Sequence, residues 1–252
     1  MADLDVFSLR GQRALVTGSG SGLGFAIAEL LHKAGAEVWI NGRDAQAVAD
    51  AVAKIGQGAH AAVFDVADAE ARRECLADLA SKGGLDILVN NVGMRDRRTF
   101  ESFEESDIRA LLDVDLIAPF QLAQSAAQQM VAKGYGRIVN ISSIAGLIAQ
   151  PGDALYTTAK GGINGMTKAL AAELGPKGVN VNAVAPGFFK TAPNEAASQD
   201  PVLADKLKAA SALGRWGEPE ELAPVVLMLA SPAASYLTGQ IIAVDGGYTA
   251  HY

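Results

Sequence analysis

The chain reads as an α/β protein, a single-domain, doubly wound, Rossmann-like sheet of seven parallel strands with helices on both faces. Three observations predict it. Short β-branched runs alternate with longer Ala- and Leu-rich segments of helical spacing, the pattern of parallel strands joined by crossover helices. The strand runs are apolar throughout, as expected where helices cover both faces of a sheet. The 252 residues, 50% hydrophobic and 19% charged, are enough to bury one large core and exclude a disordered chain.

Taken in order, the strands are RALVT (13–17), EVWIN (37–41), HAAVF (60–64), DILVN (86–90), RIVNI (137–141), VNVNAV (179–184) and QIIAV (240–244). The helices between them fall near 23–34, 45–55, 68–82, 103–131, 154–174 and 219–230. In the first helix Leu23, Ile27, Leu30 and Leu31 share one face, and Gly35 ends it. Residues 188–212 break the rhythm. This stretch exceeds ordinary connections and follows a strand's carboxyl end, where doubly wound sheets bind ligands, so it reads as a substrate lid.

Composition narrows the function. A net charge of −7 argues against affinity for nucleic acid or anionic lipid, both of which need a cationic surface. The lone Cys75 cannot form an internal disulfide, and its place in a predicted helix suggests packing in a reducing compartment. MADLDVFSLR has aspartates where a signal peptide has lysines, and the apolar tract LAPVVLMLA (222–230) is too short to span a membrane. A soluble, cytoplasmic protein is expected. His32, His60 and His251 are scattered, with neither an HExxH nor a GxSxG pattern, so no metal site or serine hydrolase is read.

The first strand runs straight into TGSGSGLG (17–24) and a helix, the context of a phosphate cradle. Glycines let a pyrophosphate approach the backbone, and the helix amino terminus offers free N–H groups and positive potential. The spacing TGxxxGxG differs from the common dinucleotide fingerprint. Together with Asp65-Val66, Asn90-Asn91-Val92-Gly93, Ser142-Ser143, Tyr156 with Lys160, Pro186-Gly187 with Thr191, and Val-Asp-Gly-Gly at 244–247, it resembles the short-chain dehydrogenase/reductase family along essentially the whole chain.

That resemblance implies an NAD(P)-dependent oxidoreductase acting on CH–OH groups. Gly18, Ser19, Ser21, Gly22, Leu23 and Gly24 would form the cofactor loop, with Gly93, Pro186 and Gly187 along the same site. Asp65 would bond the adenine amino group, Val66 would act there through its backbone, Asn90 would lie beside the adenosine ribose, and Thr191 would hold the carboxamide. Relatives preferring NAD carry an acid at the end of the second strand, where this chain has Gly42 followed by Arg43; a guanidinium suits a 2′-phosphate, so NADP is favoured, with NAD possible. Asp44 reads as a helix cap.

Tyr156 and Lys160, four apart, share one helical face. A free phenol, ionising near about pH 10, is a poor base at neutrality, and an adjacent ammonium favours the phenolate. Tyr156 would exchange the proton of a carbonyl or alcohol oxygen, and Lys160 would also bind the nicotinamide ribose. Of the two serines Ser143 is chosen to polarise that oxygen, because it stands thirteen residues before Tyr156, the family spacing, and adjacent strand residues face opposite sides. In VDLIAPF (114–120) Asp115 replaces the family's asparagine, placing a negative charge near Lys160.

After NNVG comes MRDRRTF, whose Arg95, Arg97 and Arg98 suit an anionic substrate. This segment and GRWGEPEE (214–221) are similar to the gluconate 5-dehydrogenase branch, implying a keto sugar acid and its alcohol. The alternatives are a 3-oxoacyl-(acyl-carrier-protein) reductase, its carrier docking on basic residues such as Arg137, and a nucleotide-binding regulator without turnover, which an intact Ser143, Tyr156 and Lys160 disfavours. The family resemblance also implies a homotetramer.

Overall fold

The computed structural model describes residues 4–250; the first three residues of the acidic terminus, and His251, lie outside them. Seven strands form one parallel sheet: β1 (Arg13–Val16), β2 (Glu37–Gly42), β3 (Ala59–Val63), β4 (Ile87–Asn90), β5 (Gly136–Ile141), β6 (Val179–Pro186) and β7 (Ile241–Val244). Their order is β3-β2-β1-β4-β5-β6-β7, so the winding reverses between β1 and β4 and opens a crevice at the strands' carboxyl ends.

Successive residues of each central strand supply opposite faces. Val16 and Val89 pack with Ile27 and Leu31 of α1 (Gly22–Lys33) and Val226 and Leu229 of α9 (Pro219–Ala230). On the other face Leu15 and Leu88 meet Leu76 and Leu79 of α3 (Ala69–Ser81) and Leu122 and Ala126 of α5 (Ala118–Lys133). Each buried Val, Leu or Ile among them contributes roughly 1.5–3 kcal/mol. Burial on both faces holds for the middle of the sheet and lapses at the edges, where β3 and β7 keep exposed positions. Cys75 packs against the second cluster, and burial pushes its thiol up to about 11, so it is a packing residue with little thiolate character.

The expected helix over 103–131 is broken. It becomes α4 (Glu105–Leu112), a π-helical turn (Asp113–Ile117) and α5. The reason is Pro119, which has no N–H to return to the carbonyl of Asp115, while the Ala118 N–H reaches back five residues to Asp113. The turn carries the Asp115 side chain inward, to 0% exposure.

α2 (Ala45–Ile55) is capped by Asp44, whose Oδ1 accepts from the Gln46 and Ala47 N–H groups. α6 (Ala154–Leu174) packs against β6 and carries Tyr156 and Lys160. Residues 188–212 are ordered around a short turn, α7 (Glu195–Ser198), and α8 (Pro201–Ala210). Among the described residues no helix is long and apolar enough to cross a membrane.

Candidate active site

The glycine loop is shaped by close approach. Gly18 has φ +61°, and a Cβ on it would stand 2.9 Å from Val92 Cγ2. A Cβ on Gly24 would fall 2.3 Å from the Gly18 carbonyl oxygen, so α1 could not pack on its own loop with any larger residue there. Across the crevice Thr191 faces Gly22, its Cγ2 3.6 Å from where a Cβ would sit. Two asparagines brace the loop: Asn41 Oδ1 accepts from the Gly18 N–H at 3.2 Å, and Asn91 Nδ2 donates to the carbonyls of Thr17 and Gly18 at 2.9 and 3.1 Å. Neither was singled out in the sequence for this role. The signal for Asn41 was a polar residue closing the apolar run EVWIN.

A cavity of about 390 Å³ runs from Gly18 past Gly42, Arg43, Asp65 and Val66 to Val92, Gly93 and Met94. A second pocket joins Gly18, Gly20, Ser21, Arg43 and Asp44. Arg43 reaches into solvent at the groove's rim, its side chain 79% exposed and 3.6 Å from Asp65. Asp65 also forms a turn of its own, Oδ1 accepting from Ala67 N–H at 2.8 Å. Pro186 ends β6 beside Val244, and Gly187 abuts Asp245, whose Cβ lies 2.7 Å from the position of an added Cβ.

Two expected contacts are turned away from the groove. Ser19 is fully buried: its hydroxyl donates to the Val16 carbonyl at 2.6 Å and accepts from Asn41 N–H, and its own N–H goes to the Asn41 carbonyl. Both of its donors are therefore committed inside the fold. Asn90 is 3% exposed, with Nδ2 donating to Asn140 Oδ1 at 2.9 Å and to the Pro119 carbonyl; Asn91, its neighbour, takes the groove position. The strand's alternation explains the exchange, since only one of two adjacent side chains can face the crevice.

Lys160 lies beside Gly93, on which a Cβ would stand 3.0 Å from Nζ. Its ammonium is 5.5 Å from the centre of the Tyr156 ring, 3.4 Å from the Ile141 carbonyl and 3.3 Å from Asp115 Oδ2. The Asp115 contact is close enough for ion pairing but misaligned for a hydrogen bond. Asp115 Oδ1 accepts from the Met94 N–H at 2.5 Å. Burial pushes this carboxyl above its ordinary range, against the opposing pull of Lys160 and the Met94 N–H.

The serines divide their work. Ser142 donates to Asn164 Oδ1 at 2.7 Å and is committed to holding α6. Ser143 Oγ accepts from Ala145 N–H at 3.1 Å, which leaves its own proton available to a ligand.

Arg95 also approaches Tyr156, its Cζ 5.0 Å from the ring centre. Asp153, 1% exposed, holds that guanidinium through both oxygens and also accepts from Gln150 Nε2 at 2.5 Å. Burial works against ionisation of Asp153, but the hydrogen bonds from Arg95 and Gln150 outweigh it and keep the carboxyl below the usual range. Asp153 stands at the start of α6 without capping it, a role that helix-start reasoning could not reveal. Arg97 is only loosely associated with the same carboxylate, at 3.8 Å. Arg98 is bound by Asp96 and Asp107 and lies off the site.

Arg95 and Arg97 line a cavity of about 360 Å³ with Phe188, Trp216, Tyr248 and residues of α8. The Trp216 indole N–H is buried there without a partner. Arg137, expected on the surface as a carrier contact, is instead buried at the start of β5, bonded to its own neighbour's carbonyl and stacked on Tyr135; no carrier can reach it.

A doubly wound sheet with a glycine cradle at its switch point, and a Tyr–Lys pair next to residues that line that groove and a second cavity, defines a nucleotide-dependent oxidoreductase. Comparison with known proteins gives the family. The family profile described as enoyl-(acyl carrier protein) reductase matches residues 18–249. Gluconate 5-dehydrogenase of Gluconobacter oxydans is 40% identical over 253 residues, covering 99% of each chain, and the 3-oxoacyl-(acyl-carrier-protein) reductase FabG of Aquifex aeolicus is 42% identical over 244 residues, covering 95% of this chain and 98% of its own. The crystal structure of a gluconate 5-dehydrogenase from Burkholderia cenocepacia, in complex with NADP and tartrate, superposes with a TM-score of 0.94 at 39% identity over 99% of both chains. The chain belongs to the short-chain dehydrogenase/reductase family, NAD(P)-dependent oxidoreductases acting on secondary alcohols.

Proposed function

We propose that the chain is an NADP(H)-dependent enzyme interconverting a small anionic keto sugar acid and its secondary alcohol, as a gluconate 5-dehydrogenase does. The observation that carries this reading is the position of Tyr156, whose ring lies 5.5 Å from the ammonium of Lys160, beside the groove-lining Gly93, and 5.0 Å from Arg95, which lines a cavity together with Arg97. The crevice fits the cofactor: Gly18, Gly22 and Gly24 leave the space a pyrophosphate backbone needs, Val66 and Asp65 line the adenine end, and Thr191 faces the loop from across it. Arg43 at the groove's rim favours a 2′-phosphate, and the Burkholderia relative was solved with NADP.

When bound, the nicotinamide supplies or accepts the hydride. Tyr156 gives a proton to the carbonyl oxygen in reduction and takes one from the alcohol in oxidation. Lys160 sets its ammonium 5.5 Å from the centre of the Tyr156 ring, and the uncommitted Ser143 proton orients and polarises the same oxygen. Asp115 positions Lys160 and the Met94 backbone and carries no proton to substrate. Arg97, the least neutralised of the three arginines, supports an anionic substrate. Residues 188–212 serve as the lid. The protein is read as a cytoplasmic homotetramer, for which the groove of Phe120, Ala127 and Leu170 between α5 and α6 offers a contact face.

The second reading, a 3-oxoacyl-(acyl-carrier-protein) reductase, is favoured by the 42% identity to FabG. NADPH consumption measured across 5-keto-gluconate, related keto sugar acids, acetoacetyl thioesters and simple diketones separates the two. The expected result is a kcat/KM for a keto sugar acid at least about tenfold above any thioester. A preference for acetoacetyl thioesters would overturn the substrate assignment, and no turnover of any carbonyl would overturn the enzymatic one.

A further inference from the structure

Among the polar side chains that line the cavity of about 360 Å³, Arg95 and Gln150 are arranged by one carboxylate. Asp153, 1% exposed, takes Arg95 Nε on Oδ1 at 3.0 Å and, on Oδ2, both Arg95 Nη2 and Gln150 Nε2. The guanidinium and the amide thus meet at a single oxygen. The Asp153 N–H also closes a turn on the Gln150 carbonyl at 3.4 Å, so the backbone holds these two residues together as well.

What this arrangement leaves unused decides what it can bind. An ionised carboxylate accepts and never donates, so Asp153 takes the NH₂ end of Gln150 and turns Oε1 away from itself. Arg95 spends Nε and Nη2 on the same carboxylate; its Nη1 has no partner among the described residues, and neither has Gln150 Oε1. The Arg95 side chain is 33% exposed and Gln150 is exposed, so both unused groups can be reached, whereas Asp153 cannot. A free donor and a free acceptor on groups that meet at one oxygen match a hydroxyl, which accepts from the first and donates to the second. A carboxylate fits poorly, because it would set an oxygen against Gln150 Oε1, and Asp153 already offsets the charge of Arg95.

We propose that Arg95 and Gln150 form a subsite for a hydroxyl flanking the reacting carbonyl, with Asp153 as the positioning residue behind them. Arg95 Cζ stands 5.0 Å from the centre of the Tyr156 ring, which sets the subsite beside the carbon whose oxygen Tyr156 serves. The inference rests on the keto sugar acid reading above and deepens it: a hydroxyl of the sugar meets Arg95, and the acid end is left to Arg97. A polyhydroxy ketone carries such a hydroxyl next to its carbonyl, whereas a 3-oxoacyl thioester has only methylene or methyl groups there.

Reduction of two small ketones by NADPH tests it. Hydroxyacetone offers the hydroxyl; methoxyacetone keeps the electron-withdrawing oxygen but has no O–H to donate. The unaltered protein should favour hydroxyacetone by about tenfold or more in kcat/KM, the effect of one hydrogen bond. Gln150→Met, at an exposed position, should lower that ratio by about fivefold or more, and Asp153→Asn should lower it likewise although no ligand touches Asp153. Because each ratio is taken within one preparation, it does not depend on the fraction of a variant that folds. The subsite is refuted if hydroxyacetone is not reduced, if its preference is below tenfold, or if Gln150→Met lowers the ratio by less than fivefold; a ratio unchanged in Asp153→Asn refutes the positioning role. A hydroxyl preference lost in Gln150→Met, in a protein that turns over acetoacetyl thioesters better than keto sugar acids, would leave this inference standing and sink the substrate assignment. A keto sugar acid reduced without any hydroxyl preference would do the reverse.

Discussion

Asp115 offers the sharpest test of how this site manages its charges. Replacing Asp115→Asn removes a carboxylate that is 0% exposed and 3.3 Å from Lys160 Nζ. At an effective dielectric of about 20 the direct attraction at that separation is roughly 5 kcal/mol, but the desolvation of two buried ions offsets most of it, so the net effect of the pair is near zero. The amide cannot satisfy both neighbours. With its oxygen on the Met94 N–H its NH₂ faces the ammonium, and the reverse orientation sets NH₂ against the Met94 donor, so about 1 kcal/mol of hydrogen bonding is lost. We therefore expect kcat/KM to fall by no more than about tenfold, or 1.4 kcal/mol, in steady-state assays with NADPH. Stability supplies a second readout. Because the folded-state pKa of Asp115 is raised, its contribution is present below the unfolded value near 3.8 and is lost as pH rises through the folded one. Chemical denaturation from pH 4 upward should accordingly show a decline that Asp115→Asn lessens. A loss of activity beyond about a hundredfold would mean that the carboxylate transfers a proton, and an unchanged pH slope would mean that it is not the buried, desolvated group described here.

Tyr156→Phe should lower kcat by about three orders of magnitude while NADP⁺ titration still shows binding, since only the proton-exchanging oxygen is removed; residual turnover within tenfold would refute its role. Arg43→Ala should reduce kcat/KM with NADPH by roughly tenfold or more and leave that with NADH nearly unchanged, checked by comparing the two cofactors. Glu221, held at about 2 by hydrogen bonds from Arg215 and the Glu218 N–H, gives stability that is present above the ordinary glutamate range and fades as pH falls toward 2. Thermal melts between pH 5 and pH 3 should fall less steeply for Glu221→Gln, because the replacement has no charge to lose.

Most of the architecture was legible because parallel strands covered on both faces leave continuous apolar runs, and the glycine spacing betrays a loop with no room for side chains. The π-helical turn was hidden because helical periodicity over 103–131 is sustained on either side of it, although Pro119 was a visible reason for a break. Ser19 and Asn90 sit inside motifs whose residue types suit ligand contact, and only the direction of each side chain separates a groove residue from a brace. The same holds for charge. MRDRRTF contains three arginines of equal promise in sequence, and their difference lies in which carboxylates fold back onto them: Asp96 and Asp107 on Arg98, and Asp153 on Arg95, from fifty-eight residues away.

That long-range pairing bears on the chemistry, because it sorts cations by what they are free to do. Arg95 is fixed by a buried carboxylate at the start of the helix that carries Tyr156, so the loop 94–98 is anchored beside the tyrosine. Lys160 is tied in the same way, through Asp115, to the Met94 backbone at the head of that loop. Two such contacts thus tie one loop to both Tyr156 and Lys160, and the cavity lined by Arg95 and Arg97 inherits its position from α6. An orientation error of a fraction of an ångström between cavity and tyrosine would slow hydride transfer steeply, so the buried carboxylates Asp153 and Asp115 serve geometry.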